Sequence, residues 1–564
     1  TYRSINNTKR AVFGTSDKLY AHNGDLITDI TPIVTAVTLA NVFGTSSGST
    51  RVCCSDAGHG RAVGDYVYFT STATFNAVSL STNVYPVTSV VNSGVFTISV
   101  TDAANATASD VGSATFNYLL PTGNSIAVAG LGYGAAAFQA TVCASQTRAW
   151  NEPSSADASD IVFDISQWSL DNWGDDVIAN RSGGNIYYFD SDASTVPIRA
   201  TSITTSPISV NSIVISPNDR HLICLGANSY SPTATVSGTF DPMLVRWSDQ
   251  DDRTNWVPSL TTTSGEVVLT DGTKIIGGLR SRNAVHIWTD NAMWTMQFVG
   301  PPFTFKFTPV GTNCGMIAPH AAVDYNGISY WMGYDNFYRY DGQVRVLDCT
   351  VRKFIFDRLS TKYKAKVYTG VNSEFKEIIW LYASDESNVT ECDSYVIFSP
   401  ENNYWTYGTG VFTTFADKEV FGNTITTGVS INADGDSTGN NKLFNNEPAD
   451  YYTENNRTIT SFVESADFDI EDGNQILFMN RLIPDFQLKK GSNFDGEITA
   501  KIITKKYPES SDEITKEFVL NTNTDKVNFR ARGRQAKIRV SCASNNTNWQ
   551  WGSVRLGFQP DGER

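Results

Sequence analysis

The sequence predicts an all-β protein: a β-propeller core, an inserted small β-barrel or sandwich module, and a C-terminal β-sandwich. Three observations carry this reading. Strands ending in aromatics recur, each followed by a polar turn and another strand, as in NIYYFDSD (185–192), MLVRWSDQDDRTNWVP (243–258) and GISYWMGYDNFYRYDGQVRVLD (327–348). Trp247, Trp288, Trp331 and Trp380 are separated by 41, 43 and 49 residues, close to the roughly 40–50 residues of a four-stranded propeller blade. Helical periodicity is almost absent, with FIFDRLSTKY (354–363) the best candidate for one short helix. An irregular stack of β-hairpins is the alternative architecture. The Trp and Tyr residues at these positions read as core wedges between blades rather than as a ligand cage.

Residues 1–31 read as the first propeller strands, with Asn23-Gly24 suited to a hairpin turn, as is Asp341-Gly342 further on. Residues 32–121 are rich in Ser, Thr, Val and Ala and poor in charge, and their runs GHGRAVGDYVYFTS (58–71) and YPVTSVVNSGVFTISV (85–100) mark the inserted β module. AGLGYGAAAF (129–138) links this module back to the propeller, which spans 122–455. In the last module, 456–564, Val527, Phe529 and Ala531 alternate with Asn528, Arg530 and Arg532. The parity then flips, with Ala536, Ile538 and Val540 apolar and Lys537 and Arg539 polar, so a turn or bulge is expected at Gly533.

Composition narrows the function classes. Of 564 residues 41% are hydrophobic and 18% charged, enough for a large core and too few charges for a disordered chain. The 43 basic and 58 acidic residues give net −15, which argues against a nucleic-acid binder held by a basic surface. The charge is uneven: residues 456–564 carry 16 basic and 15 acidic side chains, so the acid lies on the propeller and insert. No run of about 18 apolar residues is present to span a bilayer, and the first residues lack the apolar core of a signal peptide. The chain opens at Thr1 directly in a strand pattern, so residues upstream are expected. Eight Cys without a C-x-x-C pair read as scattered reduced thiols, and adjacent Cys53 and Cys54 as one facing in and one out. Together these features suggest a soluble protein made in the cytoplasm.

No catalytic, cofactor or metal site is expected. Five His (22, 59, 221, 286, 320) limit the options, and His59, His286 and His320 read as structural or surface residues. GTSSG (44–48) fits the G-x-S-x-G pattern, but Ser46 lies in a Ser/Thr-rich loop without the strand-to-helix turn a nucleophile elbow requires. Asp249, Asp251 and Asp252 cluster in one hairpin turn, where turn geometry and solvation account for them, and nothing singles out a glycosidase carboxylate pair. DGDSTGNN (434–441) has only partial calcium-loop spacing, and GLGYG (130–134) lacks the context of a phosphate loop. Arg530, Arg532, Arg534 and Arg539 form either a solvated strand face or a contact with a neighbouring subunit or acidic partner.

Several stretches, in order along nearly the whole chain, resemble a family of virion proteins of tailed bacteriophages related to the tail nozzle (tail tubular B-like, or hub) proteins of short-tailed phages. They are GTSDKLYAHNGDLITDITP (14–32), SLDNWGDDVIAN (169–180), PNDRHLICLGA (217–227), MLVRWSDQDDRTNW (243–256), VGPPFTFKF (299–307), NCGMIAPHAAVDYNGISYWMG (313–333), FYRYDG (337–342), RLIPDF (481–486), RARGRQAKIRV (530–540) and, most characteristic, WQWGSVRLGFQPDGER (549–564). GHGRAVGDYVYFTS is similar to a small β module common in phage tail proteins. The resemblance implies a virion protein made in the host bacterial cytoplasm, with a further N-terminal segment upstream. It also implies a homohexameric ring below the portal and adaptor, with tail fibres or spikes outside and genomic DNA passing through transiently. It transfers no catalytic residues. On this reading the acidic turns Asp249, Asp251 and Asp252, or Asp175 and Asp176, face the channel and repel DNA phosphates. The competing classes are a propeller that binds or cleaves host-surface glycan, and a fibre-docking adaptor elsewhere in the tail.

Overall fold

The computed structural model describes residues 2–3, 9–15, 18–23, 26–121, 165, 167–192, 199–232, 238–386, 389–418, 420–431, 437–446, 460–490, 497–507, 510–543 and 547–562. The chain forms two compact units, Thr1–Gly422 and Asn423–Arg564.

The first unit is the propeller with its insert. Six antiparallel sheets of four strands follow one another, each strand pairing with its neighbour in sequence. The first sheet is Tyr2–Arg3, Lys9–Gly14, Leu19–His22 and Ile27–Asp29, and the second is Trp168–Trp173, Asp176–Arg181, Ile186–Phe189 and Thr201–Ser202. The third is Val210–Ile215, Leu222–Asn228, Phe240–Trp247 and Gly265–Val268. Ile275–Arg280, Val285–Thr289, Ala292–Gly300 and Thr304–Thr312 make the fourth. The fifth is Ala322–Tyr325, Ile328–Met332, Phe337–Tyr340 and Val344–Leu347, and the sixth is Tyr368–Asn372, Glu377–Tyr382, Ser394–Ser399 and Tyr404–Thr409.

Second strands such as LICLGAN, VHIWT and EIIWLY are almost wholly buried. A strand covered on both faces needs a continuous apolar run rather than alternation. Trp288, Trp331 and Trp380 occupy such second strands at 0% exposure, and the Trp288 and Trp331 rings meet at 5.4 Å between sheets. Trp247 instead ends the third strand of its sheet, so the 41-residue spacing to Trp288 does not measure a blade. The first strand of the fourth sheet passes close to the connection that leads into the fifth. A Cβ on Gly277 would lie 2.7 Å from the Pro319 carbonyl oxygen.

Between the first and second sheets the chain makes a closed six-stranded barrel, in the order Val84–Asn92, Val95–Ser99, Arg51–Ser55, Ile33–Thr45, Ala108–Leu119 and Tyr66–Phe69. Phe43, Phe69, Phe96 and Phe116 fill it at 0% exposure. Cys53 and Cys54 point to opposite sides of their strand as expected, yet both are buried, because the strand is covered on each side. Cys53 is disulfide-bonded, which corrects the expectation of reduced thiols alone. Cys54, Cys224, Cys314, Cys349, Cys392 and Cys542 are free thiols. The short helix is Arg352–Arg358, and extended Leu359 ends it before the predicted 363.

In the second unit, Ile425–Ile431 pairs with Ser437–Asn445. Beyond them two sheets enclose a core that includes Leu477, Met479, Ile502, Ala531 and Ile538. One sheet orders Ser461–Glu464, Gln535–Cys542, Ile498–Lys505 and Glu513–Leu520, and the other Val527–Gly533, Leu477–Ile483 and Arg555–Pro560. The parity flip at Gly533 is the point where the chain leaves one sheet for the other. A Cβ there would lie 2.8 Å from both the Lys505 carbonyl oxygen and the Thr504 Cβ. Gly533→Ala is therefore expected to cost about 1–3 kcal/mol, because backbone must shift to admit the methyl. A urea titration of the whole protein, following the near-ultraviolet signal, checks this.

Candidate functional site

The five aspartates singled out in the sequence share one end of the propeller. Asp175 and Asp176 follow the first strand of the second sheet, and Asp249, Asp251 and Asp252 lie in the connection between the last two strands of the third. Arg253 stacks over the Tyr188 ring at 3.7 Å, and the Tyr188 hydroxyl donates to Asp176. The two acidic turns thus form one network with arginine interleaved. Asp251, at φ +56°, pairs with Arg220 at 2.9 Å, and Asp252 accepts from the Thr254 amide at 2.8 Å. Asp249 accepts from the Thr263 hydroxyl and amide and from the Gln250 amide. Burial pushes its carboxyl up, but these hydrogen bonds outweigh it and hold the group below the ordinary value.

The four arginines do not form one face. Arg530 is exposed on Val527–Gly533, and Arg532 on the same strand pairs with Asp561 at 2.7 Å. Arg534 sits where the chain changes sheets and donates to the Gly473 and Asn474 carbonyls at 2.9 and 2.7 Å. Arg539 lies in the other sheet, paired with Glu464 at 3.3 Å over the Phe462 ring.

One constellation went unseen in the sequence. Buried His221 meets the Asp219 carboxylate through Nδ1 and the Thr263 hydroxyl through Nε2 at 2.9 Å. This looks like a nucleophile relay, but the Thr263 hydroxyl already donates to Asp249 at 2.6 Å. Its oxygen then accepts from Nε2–H, so the group is a buried clamp rather than an activated nucleophile. Ser46 leads from one strand through a turn into another, without a helix. His59, His286 and His320 are each hydrogen-bonded within the fold. Among the described residues no three His, Cys, Asp or Glu side chains are grouped to hold a metal, and no helix is long and apolar enough to cross a membrane. GLGYG (130–134) and the first part of DGDSTGNN (434–436) lie outside the described residues.

One concave site lies where the first strands converge. A cavity of about 290 Å³ is lined by Gln167, Asp171, Asn211, Ser212, Arg280 and His320, with Leu170, Ile213 and Leu279 as carbon walls. Asp171 accepts from the Ile215 amide at 2.8 Å, and Arg280 stands 3.6 Å from its other oxygen. Burial raises the Asp171 carboxyl above its ordinary value, with Arg280 opposing. Gln167 donates to the Ala365 carbonyl at 2.8 Å and His320 to the Trp168 carbonyl at 3.0 Å. The Gln167 Oε1 and Ser212 Oγ atoms are buried without a hydrogen-bond partner. Sequence spacing could not show this site, because its residues come from three sheets and two connections.

No family model and no curated protein matches the chain. Among solved structures, the endosialidase of phage phi92 is 10% identical, covering 92% of this chain and 76% of that one, with a TM-score of 0.20. The extracellular domain of the putative hybrid two-component system BT4673 from B. thetaiotaomicron is 9% identical, covering 99% and 80%, with a TM-score of 0.29. A mutant of Synechocystis apocarotenoid oxygenase is 8% identical, covering 73% and 91%, with a TM-score of 0.28. Likenesses at these values assign the chain no activity, ligand or family.

Proposed function

We propose that this chain is a structural subunit of a bacteriophage tail, a nozzle-type protein whose copies ring the DNA ejection path and dock fibres or spikes. The observation that supports this reading is what its distinctive motifs do in the fold. In MLVRWSDQDDRTNW, Arg246 ties the Asn228 and Trp256 carbonyls together, and Asp249 gathers the following loop. In PNDRHLICLGA, Asp219 and His221 make the buried clamp. In NCGMIAPH, the Cys314 carbonyl accepts from the Trp331 indole at 2.9 Å and His320 reaches Trp168. Residues of this kind build joints, which is the work of a scaffold.

The bonds from His320 to Trp168 and from Gln167 to Ala365 cross the centre of the propeller, so a DNA path would run between copies and not through one. Net −15 per copy suits passage without adhesion. Native mass spectrometry of the purified protein at micromolar concentration is expected to show a closed oligomer of six copies. A monomer at every concentration would refute the ring.

The axial cavity favours a second reading, a tail propeller that binds host-surface glycan. Hydrolysis by the usual route needs two carboxyls about 5–10 Å apart. Asp171 is the single carboxylate among the cavity's lining residues, so this second reading is one of binding.

A further inference from the structure

We propose that the outer face of the three-stranded sheet in the second unit docks onto an acidic surface of a second copy of this chain; this rests on the ring reading and names the contact that joins the copies. Four arginines carry the proposal, and two of them are not among those singled out in the sequence. Leu477, Met479, Leu482, Phe529 and Ala531 point into the core. Alternation therefore turns Arg481, Arg530, Arg532 and Arg555 to the outside, where all four are exposed. Arg481 stands opposite Asn528 on one neighbouring strand and Gly557 on the other. Arg530 and Arg555 are thus its diagonal neighbours, at about 7–8 Å. Arg532, two positions beyond Arg530, extends the track.

The other sheet of the same module has a charged face that neutralises itself. Lys501 pairs with Glu517 at 3.0 Å, Lys505 with Asp467 at 3.3 Å, and Lys537 and Arg539 with Glu464 at 3.4 and 3.3 Å. On the arginine face Arg532 is paired with Asp561, whereas Arg481, Arg530 and Arg555 have no ion-pair partner among the described residues. Neighbouring like charges repel, so this face is completed only by a surface that brings carboxylates to it. Phe478, beneath the Arg532 guanidinium at 5.5 Å, and Ile483 are half-buried beside the arginines. Arginine with aromatic and apolar neighbours is the composition of protein interfaces, and its planar fork suits carboxylates. The chain supplies the complementary charge, since residues 1–455 carry 27 basic and 43 acidic side chains. A nucleic acid is repelled along its length by a chain of net −15, whereas a folded copy can present carboxylates to this face alone. A basic face on one copy meeting an acidic one on the next is a head-to-tail contact, the kind that closes rings.

The test is sedimentation equilibrium and native mass spectrometry of the intact protein and two charge-matched variants. One carries Arg481→Glu with Arg530→Glu on this face, and the other Lys506→Glu with Lys516→Glu elsewhere in the second unit; all four positions are exposed. The arginine variant is expected to weaken self-association by about tenfold or more, because like charges then face each other. The lysine variant should stay near the wild-type value. Raising the salt from about 0.05 to 0.5 M should weaken the wild type in the same direction. Arg481→Gln with Arg530→Gln removes the charge without reversing it; its loss should be intermediate, and it serves where the glutamates disturb the fold. Oligomers that persist unchanged in both arginine variants overturn the proposal and leave the ring reading to another surface. A wild type that stays monomeric overturns both. Binding of single-stranded DNA that the arginine variants lose, with self-association unchanged, assigns the face to a polyanion and overturns the proposal too.

Discussion

Arg246→Leu is expected to destabilise the propeller unit by about 3–5 kcal/mol, the largest effect of any single polar substitution in the third sheet. Arg246 is 1% exposed, with its guanidinium between the rings of Tyr230 and Trp256. It donates to the Asn228 carbonyl at 3.1 Å and to the Trp256 carbonyl at 3.1 Å, fixing the strand end and the long connection that follows Trp247. Leucine would leave both carbonyls buried and unpaired and would not fill the space between the rings. Burial lowers the guanidinium's pKa from its ordinary value, so the fold holds this cation at a cost that only its partners offset. At about 2–4 °C per kcal/mol for domains of a few hundred residues, the midpoint should fall by at least about 5 °C. Arg220→Ala is the control. Its pair with Asp251 is half-exposed or more on both sides, at 51% and 68%, and is worth less than about 1 kcal/mol. Equal losses in the two variants would show that Arg246 is not a joint.

The strands were legible because sheet formation leaves a local signature. VHIWT, ISYWM and EIIWLY declare themselves by aromatics near the strand end ahead of a polar turn, and the flip of parity after Ala531 marked the change of sheet at Gly533. The tryptophan spacing was partly misleading, because Trp247 sits in a third strand while the other three sit in second strands. The site was far less legible. Gln167, Ser212 and Arg280 are ordinary polar residues in sequence, and only the convergence of first strands makes Ser212 Oγ a buried atom without a partner. The arginines show the opposite failure. Clustered within ten positions, they are divided between two sheets by one glycine, since a change of sheet turns neighbours in sequence away from each other.

Acidification from pH 7 to 4 is expected to remove about 3 kcal/mol of stability through His286 alone. Its imidazole is 5% exposed, bonded through Nδ1 to the Ser329 hydroxyl at 2.8 Å and packed edge-on against Trp288 and Tyr340. Burial pushes its pKa down to about 4, with Asp324 opposing. Unfolded, the group titrates near 6.5. Between these values the unfolded chain holds the proton and the folded chain does not. The stabilisation is therefore complete above about pH 6.5 and is lost as pH falls toward 4. His286→Gln keeps a hydrogen-bonding group for Ser329 and does not titrate. The wild type should therefore lose about 3 kcal/mol relative to this variant over that range, measured by urea unfolding at each pH. Asp249 and Asp290, held below the ordinary carboxylate value in the fold, lose their own contribution only below about pH 4. They are common to both proteins and drop out of the comparison, as does His320, whose pKa burial also lowers. A difference that stays flat from pH 7 to 4 would mean that the folded protein accepts the proton at His286, with Asp324 as its counter-charge. The contact between the fourth and fifth sheets would then be polar where the geometry makes it dry.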